Sequence, residues 1–299
     1  MATHKKSEHL FLVDLDQKLD GFRSFISCWI YRKSERVILI DPGPTSTIPL
    51  LEEALTELDI FNIDYILLTH IHIDHAGGTG MLLSKFPDAK VLCHPKGIPH
   101  MIDPAKLWQG SLAVLGPVAE VYQPIIPVPA SKIFYKPQIK GLLNIEVIET
   151  PGHAMHHLNF LTDGYLFAGE VAGVNCPAGD AFYLRIATPA RFIFDIYKES
   201  LYKAAALDCD YICFGHYDMR DDTVRVFDSA KEQLDLWIDT IRSLNEKNSS
   251  IKELEIFNAL LANDPLLKSF KALDSDIRKR EQYFALNSIK GMLEFIRRS

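Results

Sequence analysis

The segment Thr69-His-Ile-His-Ile-Asp-His-Ala-Gly-Gly78 sets three histidines and a carboxylate within six residues, directly behind the apolar run Tyr65-Ile-Leu-Leu68. A strand ending at Thr69 delivers His70 and His72 to one side of a sheet edge, because alternate strand residues share a face. Asp74 and His75 come round in the turn that follows. Two pairs of donors then point at two neighbouring positions. Imidazole nitrogen and carboxylate oxygen are the donors that borderline metals such as zinc or iron accept, so the spacing predicts a dinuclear site. A histidine-rich surface loop is the competing reading.

Around this run the chain reads as alternating strands and helices. Strand patterns cover His9 to Leu15, Phe25 to Tyr31 and Arg36 to Ile40, the last closing on the turn Asp41-Pro-Gly-Pro44. Thr47 to Leu58 has helical spacing, and Asp64 to Thr69 returns to a buried strand, giving the order β, β, β, α, β. A short helix over Met81 to Phe86 and a strand over Lys90 to His94 follow. The proline-rich stretch 95–138 is expected to be a long irregular insertion, of the kind that lines or caps a site. Strands resume at Leu143 to Ile148, Asn159 to Leu161, Tyr165 to Ala168 and Tyr211 to Phe214, with a helix from about Ala190 to Ala206. Beyond Asp222 the composition changes. Thr223 to Lys247 is predicted as one amphipathic helix with Val224, Phe227, Leu234, Trp237, Ile238 and Ile241 on its apolar face, followed by helices over Ile251 to Ala262 and Ile277 to Arg298.

Composition narrows the classes. The chain has 299 residues, 47% hydrophobic and 24% charged, which suits a globular protein with one large domain and an appendage. Its net charge of −7 argues against a main role in binding nucleic-acid phosphates. Neither a signal peptide nor a membrane span is expected, and five scattered cysteines (Cys28, Cys93, Cys176, Cys209, Cys213) suit a reducing cytoplasm better than a disulfide framework. Cys209 and Cys213 are expected as buried small hydrophobes.

The run His70-Ile-His72-Ile-Asp74-His75 resembles the HxHxDH signature of the metallo-β-lactamase-fold hydrolases. Three later motifs carry the resemblance on: Thr150-Pro-Gly-His153, Leu166-Phe-Ala-Gly-Glu170 and Tyr211-Ile-Cys-Phe-Gly-His216 are similar to those that supply the family's remaining ligands. The likeness spans roughly residues 9 to 217. It implies an α+β fold, a four-layer αβ/βα sandwich over residues 1–222 with a helical C-terminal region over 223–299. It also implies two divalent metal ions, zinc first, with iron or manganese compatible with the same donors. His70, His72 and His153 would hold one metal; Asp74, His75 and His216 the other. Glu170 stands where most relatives carry aspartate, so its extra methylene requires a backbone set further back or a different metal spacing. Asp180 is the reserve carboxylate.

The same resemblance implies a hydrolase in which metals lower the pKa of a bridging water toward neutrality, so that hydroxide attacks without a serine or cysteine. Asp74 is the candidate catalytic group, able to protonate the displaced group. The substrate is expected to be a small thioester or other acyl compound, as in the glyoxalase II and quinolone-signal thioesterase branch, with a lactone using the same ligands. The alternatives are a phosphodiesterase or nuclease of the same fold, which the acidic balance disfavours, and a non-catalytic metal-binding effector. Flavodiiron relatives differ in carrying glutamate where His72 stands. An oligomer is compatible with the sequence.

Secondary candidates surround this set. His157 and His156 are expected beside the ligands and Asp41 as the partner of a ligand histidine, while His94 and His100 are expected as loop histidines. Tyr183, Arg185 and Tyr217 are candidate substrate contacts, and Trp108, Leu112, Phe284 and Met292 a candidate apolar wall. Arg278-Lys-Arg280 is expected to be a solvated helix face. The insertion and the C-terminal helices are expected to set substrate choice.

Overall fold

Strands with apolar residues at every position must bury both faces, and the opening strands do so by sorting alternate side chains into two cores. In the computed structural model, which describes residues 3–141, 143–179 and 181–298, these strands are β1 (Thr3–Lys5), β2 (Leu10–Asp14), β3 (Ser27–Lys33) and β4 (Arg36–Ile40). Helix α1 (Ile48–Glu57) leads to β5 (Tyr65–Leu67); α2 (Ile73–Ala76) and α3 (Thr79–Lys85) lead to β6 (Lys90–Leu92). Helices α4 (Ile98–Ile102), α5 (Ala105–Leu115) and α6 (Pro117–Tyr122) then precede β7 (Ile133–Phe134). These strands form one sheet in sequence order, antiparallel from β1 to β4 and parallel from β4 to β7.

The second half repeats the plan. It comprises β8 (Gln138–Ile139), β9 (Ile145–Glu149), β10 (Leu158–Thr162), β11 (Tyr165–Gly169), β12 (Val174–Asn175), β13 (Leu184–Arg185), α7 (Phe194–Ala205), β14 (Tyr211–Phe214) and β15 (Met219–Arg220). Six strands form a sheet in the order β15-β14-β11-β10-β9-β8, and β12 pairs with β13 apart from it. The chain ends in α8 (Thr223–Lys247), α9 (Glu253–Asn263) and α10 (Ser275–Arg298), with a 3-10 segment over Pro265–Ala272.

Between the sheets lie Leu10, Leu12, Trp29, Tyr31, Ile38, Ile40 and Leu67 from one side and Val147, Leu158, Phe160, Phe167 and Cys213 from the other. The alternate residues Phe11, Val13, Cys28, Ile30, Val37 and Leu39 face Leu51 and Leu55 of α1 and Leu82 of α3. On the far side, Leu166, Ala168, Ile212 and Phe214 share a core with Leu201 of α7, Trp237 of α8, Phe257 of α9 and Met292 of α10. The result is the expected four-layer sandwich of helices, sheet, sheet and helices. Trp29 Nε1 donates to Phe214 O at 2.8 Å, fastening one sheet to the other where β14 ends.

Three expectations change. Half of stretch 95–138 is helical, and prolines start two of its helices: Pro99 and Pro117 occupy the first turns of α4 and α6, where the missing N–H costs nothing. Val224 is 73% exposed, because the buried stripe of α8 runs through Val226, Phe227, Ala230, Gln233, Leu234, Trp237, Ile238 and Ile241. Cys209 is only half-buried, whereas Cys213 is buried as expected.

Candidate metal centre

Four strand ends meet at one edge of the sandwich. Beyond β5 the chain stays extended: Leu68 N donates to Leu92 O, and Thr69 O accepts from Leu158 N of the other sheet. His70 and His72 follow at once, and His72 caps α2, which carries Asp74 and His75. His153 lies in the turn between β9 and β10. Strands β11 and β14 are parallel neighbours, so Glu170 and His216, each just past its strand, emerge side by side. The pairing shifts register between Phe167 and Gly169, a bulge that re-aims the glutamate. Gly169 is required there: its φ is +51°, and a Cβ would lie 2.5 Å from His157 Nε2.

Glu170 is the hub. Its Oε2 lies 2.8 Å from His153 Nε2, 3.4 Å from His70 Nε2 and 3.6 Å from His75 Nε2; its Oε1 lies 3.5 Å from His216 Nε2. His153 Nε2 is 3.0 Å from His72 Nδ1, and His75 Nε2 is 3.2 Å from His216 Nε2. Asp74 Oδ2 stands 3.7 Å from both His75 Nε2 and His216 Nε2. Three overlapping groups able to hold a metal result, His70–His72–His153–Glu170, Asp74–His75–His216 and, sharing a histidine with each, Asp41–His70–His75. Donors about 2.0–2.2 Å from a tetrahedral ion are separated by roughly 3.3–3.6 Å. Most of the observed spacings are close to that polyhedral edge, and Glu170 reaches both sides, Oε2 toward His70, His153 and His75 and Oε1 toward His216.

The nitrogens turned away from the hub are engaged by the protein. Asp41 Oδ2 accepts at 3.1 Å from His75 Nδ1, and Asp41 is itself held by Thr69 N at 2.8 Å and Thr69 Oγ1 at 2.6 Å. Thr69 Oγ1 is also 3.0 Å from His70 Nδ1. His153 Nδ1 faces Ala187 O at 3.0 Å, and His216 Nδ1 faces Phe25 O at 3.3 Å. Such outer contacts fix ring orientation and leave the inner nitrogen as donor. His70 Nε2 is buried without a well-formed hydrogen bond, its nearest acceptor being Glu170 Oε2 at 3.4 Å, and a metal would satisfy it.

Electrostatics favour cation binding. Burial pushes His72 down to about 4 and holds His70 well below its usual range, so both rings are neutral at pH 7. Burial alone would raise Glu170, but His153 and His216 beside it outweigh that and hold the carboxyl well below its usual range. His75 and His153 shift the other way, because the carboxylates beside them outweigh their burial, so a divalent ion would bind by displacing protons from those two rings.

The structure brings together all seven sequence candidates: His70, His72, Asp74, His75, His153, Glu170 and His216. Asp180 lies outside the described residues. His157 has both ring nitrogens engaged, by Thr150 Oγ1 at 2.9 Å and by Glu170 N at 3.1 Å, so it positions the glutamate's backbone. His94 Nδ1 accepts from Lys96 N.

Other candidates move inward. Tyr183 and Arg185 are buried against Glu281 of α10, Tyr183 Oη and Arg185 Nε donating to Glu281 Oε2 at 3.1 and 2.8 Å. Arg280 is buried and not solvated: its guanidinium donates to Glu281 Oε1 and Gly21 O and lies 4.1 Å over the ring of Phe25. Phe25 in turn stacks on His216 at 4.1 Å, and Phe284 stacks on Phe25 at 5.6 Å. Met292 is buried in the helical core, away from any wall. Sequence reasoning missed this network, although Arg280 and Glu281 fall on the helical stripe of Ile277, Ala285, Ile289 and Met292. Charges on an apolar stripe were the available signal.

Comparison with known proteins agrees with this geometry. The family profile described as the metallo-beta-lactamase superfamily matches residues 21–216. The chain belongs to the metallo-beta-lactamase superfamily. It is 29% identical over 210 residues to a metallo-beta-lactamase fold-containing protein of Sulfurisphaera tokodaii, covering 65% of this chain and 74% of that protein. It is 31% identical over 186 residues to a hydroxyacylglutathione hydrolase of Aeromonas hydrophila, covering 62% of this chain and 58% of the relative. A metallo-beta-lactamase family protein of Thermus thermophilus shares the fold with a TM-score of 0.68 at 19% identity, over 98% of this chain and 95% of that one.

Proposed function

We propose that this chain is a dinuclear metal-dependent hydrolase of small acyl substrates, with thioesters first among them. The observation that carries the reading is Glu170 lying between the two donor sets, its Oε2 beside His153, His70 and His75 and its Oε1 beside His216. His70, His72 and His153 would hold one ion, and Asp74, His75 and His216 the other. Two divalent ions held there, zinc first and iron or manganese next, would supply Lewis acidity and a water acidified to near neutrality.

The protein's own groups do the rest. Asp74 is the more exposed carboxylate of the cluster, with its side chain 15% accessible against 8% for Glu170. It is therefore the group positioned to take the proton of the attacking water and return it to the departing thiolate or alkoxide. Asp41, Thr69 and His157 hold the ligand rings and the Glu170 backbone in place before substrate arrives, so little reorganisation is left for the reaction. The likeness to hydroxyacylglutathione hydrolases supports a thioester, although the match reaches only part of their length. No described helix is long and apolar enough to cross a membrane.

The test is metal content followed by a panel of thioesters, lactones and phosphodiesters. Turnover of an acyl substrate, abolished by chelation and restored by zinc, supports the reading. Turnover of phosphodiesters alone replaces it with the nuclease alternative, and metal binding without any turnover with the effector alternative.

A further inference from the structure

Arg280, in the second turn of α10, is buried with every arm of its guanidinium engaged. Nε donates to Glu281 Oε1 at 3.0 Å, Nη1 to Gly21 O at 2.6 Å and Nη2 to Cys176 Sγ at 3.2 Å, while Cζ lies 4.1 Å over the ring of Phe25. Burying a guanidinium with its carboxylate is expensive, and well-packed apolar residues of similar volume often serve stability as well or better. Packing alone therefore does not account for an arginine here, and the groups it touches have to.

Those groups lead to one metal ligand. Residues 21–25 press against the start of α10: Gly21 has a φ of +82°, a Cβ there would strike Asp276 O, and the Arg23 guanidinium pairs with Asp274 and Asp276. Arg280 holds the same segment from the buried side, since its Nη1 also lies 3.3 Å from Arg23 O. At the end of the segment Phe25 meets His216 twice. Its ring stacks on the imidazole at 4.1 Å with 20° between the planes, and its carbonyl accepts from His216 Nδ1 at 3.3 Å and from Tyr217 N at 3.0 Å. The stack fixes the plane of the imidazole, and the carbonyl leaves Nε2 as the inward donor. Because Glu281 pairs with Arg280 on α10 itself, what passes through Phe25 to His216 is geometry more than charge.

We infer that Arg280 is a positioning residue for His216, and that α10 thereby sets the affinity for the ion held by Asp74, His75 and His216. The inference rests on the dinuclear reading above and concerns one half of it. Arg280 touches neither ion nor substrate; it acts by holding Phe25, whose ring and carbonyl hold the ligand. Without the guanidinium, Phe25 loses the cation on its outer face and residues 21–25 lose their buried donor. His216 must then be ordered when the ion binds, and the affinity of that half-site falls.

The experiment measures both zinc-binding steps of the full-length protein by competition with a chromogenic chelator, alongside thermal unfolding. The variants are Arg280→Met and Phe25→Leu, singly and together, and Arg280→Met again in a His216→Ala background. In the single variants the first zinc should bind within about twofold of wild type and the second about 10–100-fold more weakly, the range for loss of an outer contact to a ligand. The double variant should be no weaker than the worse single one, since both act along one path. In the His216→Ala background, Arg280→Met should change zinc affinity by no more than about twofold, because the ligand it positions is gone. Met292→Ala, in the same helical core, is the stability control: Tm should fall while the second zinc still binds normally. Second-zinc affinity within twofold of wild type in Arg280→Met or Phe25→Leu overturns the inference. So does a loss that persists without His216, or an equal loss in Met292→Ala. If Arg280→Met does not fold, Arg280→Lys takes its place with the same expectations: it keeps a cation beside Glu281 but lacks the planar fork. Wild type that takes up one zinc or none overturns the dinuclear reading and this inference with it, whereas two zincs with an unchanged Arg280 variant overturn the inference alone.

Discussion

Replacing Glu281 with glutamine tests the claim that α10 is anchored by charge. Glu281 is fully buried and accepts from Arg185 Nε at 2.8 Å, Arg280 Nε at 3.0 Å and Tyr183 Oη at 3.1 Å. Two buried guanidinium groups share this one carboxylate, so the amide leaves both without a counter-charge. Breaking a buried pair by removing one partner costs about 3–5 kcal/mol. An independent route gives the same size. Burial would raise the carboxyl, but Arg185 and Arg280 outweigh it and hold Glu281 at about 2 against an ordinary 4.5. A shift of that extent corresponds to roughly 3 kcal/mol at 1.36 kcal/mol per pH unit. Because the folded-state value is depressed, this stability is fully present above about pH 4.5 and is lost as pH falls toward about 2. Urea denaturation at pH 7 should therefore place E281Q about 3 kcal/mol or more below wild type, and the gap should narrow as the pH is lowered through that window. A difference under about 1 kcal/mol at pH 7, or a gap independent of pH down to 3, would refute the assignment.

Three further outcomes follow from the metal centre. Elemental analysis should find close to two metals per chain, and His72→Ala should lower metal content and activity far more than folding yield, since the sheets supply the core; full content in the variant would remove His72 from the ligand set. Glu170→Ala should lose one or both ions, because two dications would lack the negative charge between them, while Glu170→Asp tests tolerance of the shorter arm; unchanged metal content in the alanine variant would move the bridge elsewhere, Asp180 being next to try. Asp41→Asn should weaken metal affinity about 10–100-fold with the fold intact, read by competition with a chromogenic chelator, and an unchanged affinity would reduce Asp41 to a turn residue.

Local spacing made part of this legible. His70, His72, Asp74 and His75 sit within one strand end and its turn, where side-chain direction follows from backbone geometry. His153, Glu170 and His216 came from motif likeness alone, because their meeting depends on β11 and β14 being parallel neighbours, which no local pattern encodes. The two-core sorting of Leu10 to Val13 was likewise invisible as alternation, both faces being apolar. Proline misled over 95–138 because composition does not distinguish a breaker from a first-turn residue. The partnerships of Arg185, Glu281 and Arg280 escaped notice for a shared reason. Each is defined by what surrounds a polar atom from distant parts of the chain, and a residue type by itself does not report its partners.

The placement of α10 changes how substrate choice can be examined. Deleting residues beyond 250 looks, from sequence, like removal of a cover. In the folded chain Ile256, Phe257, Leu260, Ile277, Ile289 and Met292 are buried in the same core as Leu166 and Phe214, which lie on the strands that lead to Glu170 and His216. Each such side chain contributes roughly 1.5–3 kcal/mol by its burial, and domains remain folded by only about 5–15 kcal/mol. Deletion would also strip Glu281 from buried Arg185, so it probes stability before selectivity. Selectivity has to be examined at Phe284, which stacks on Phe25 beside His216, and at Tyr283, whose Oη donates to Val114 O of α5 at 3.2 Å. Those two contacts join α10 to a ligand ring and to the helix carrying Trp108 and Leu112, with the core left whole.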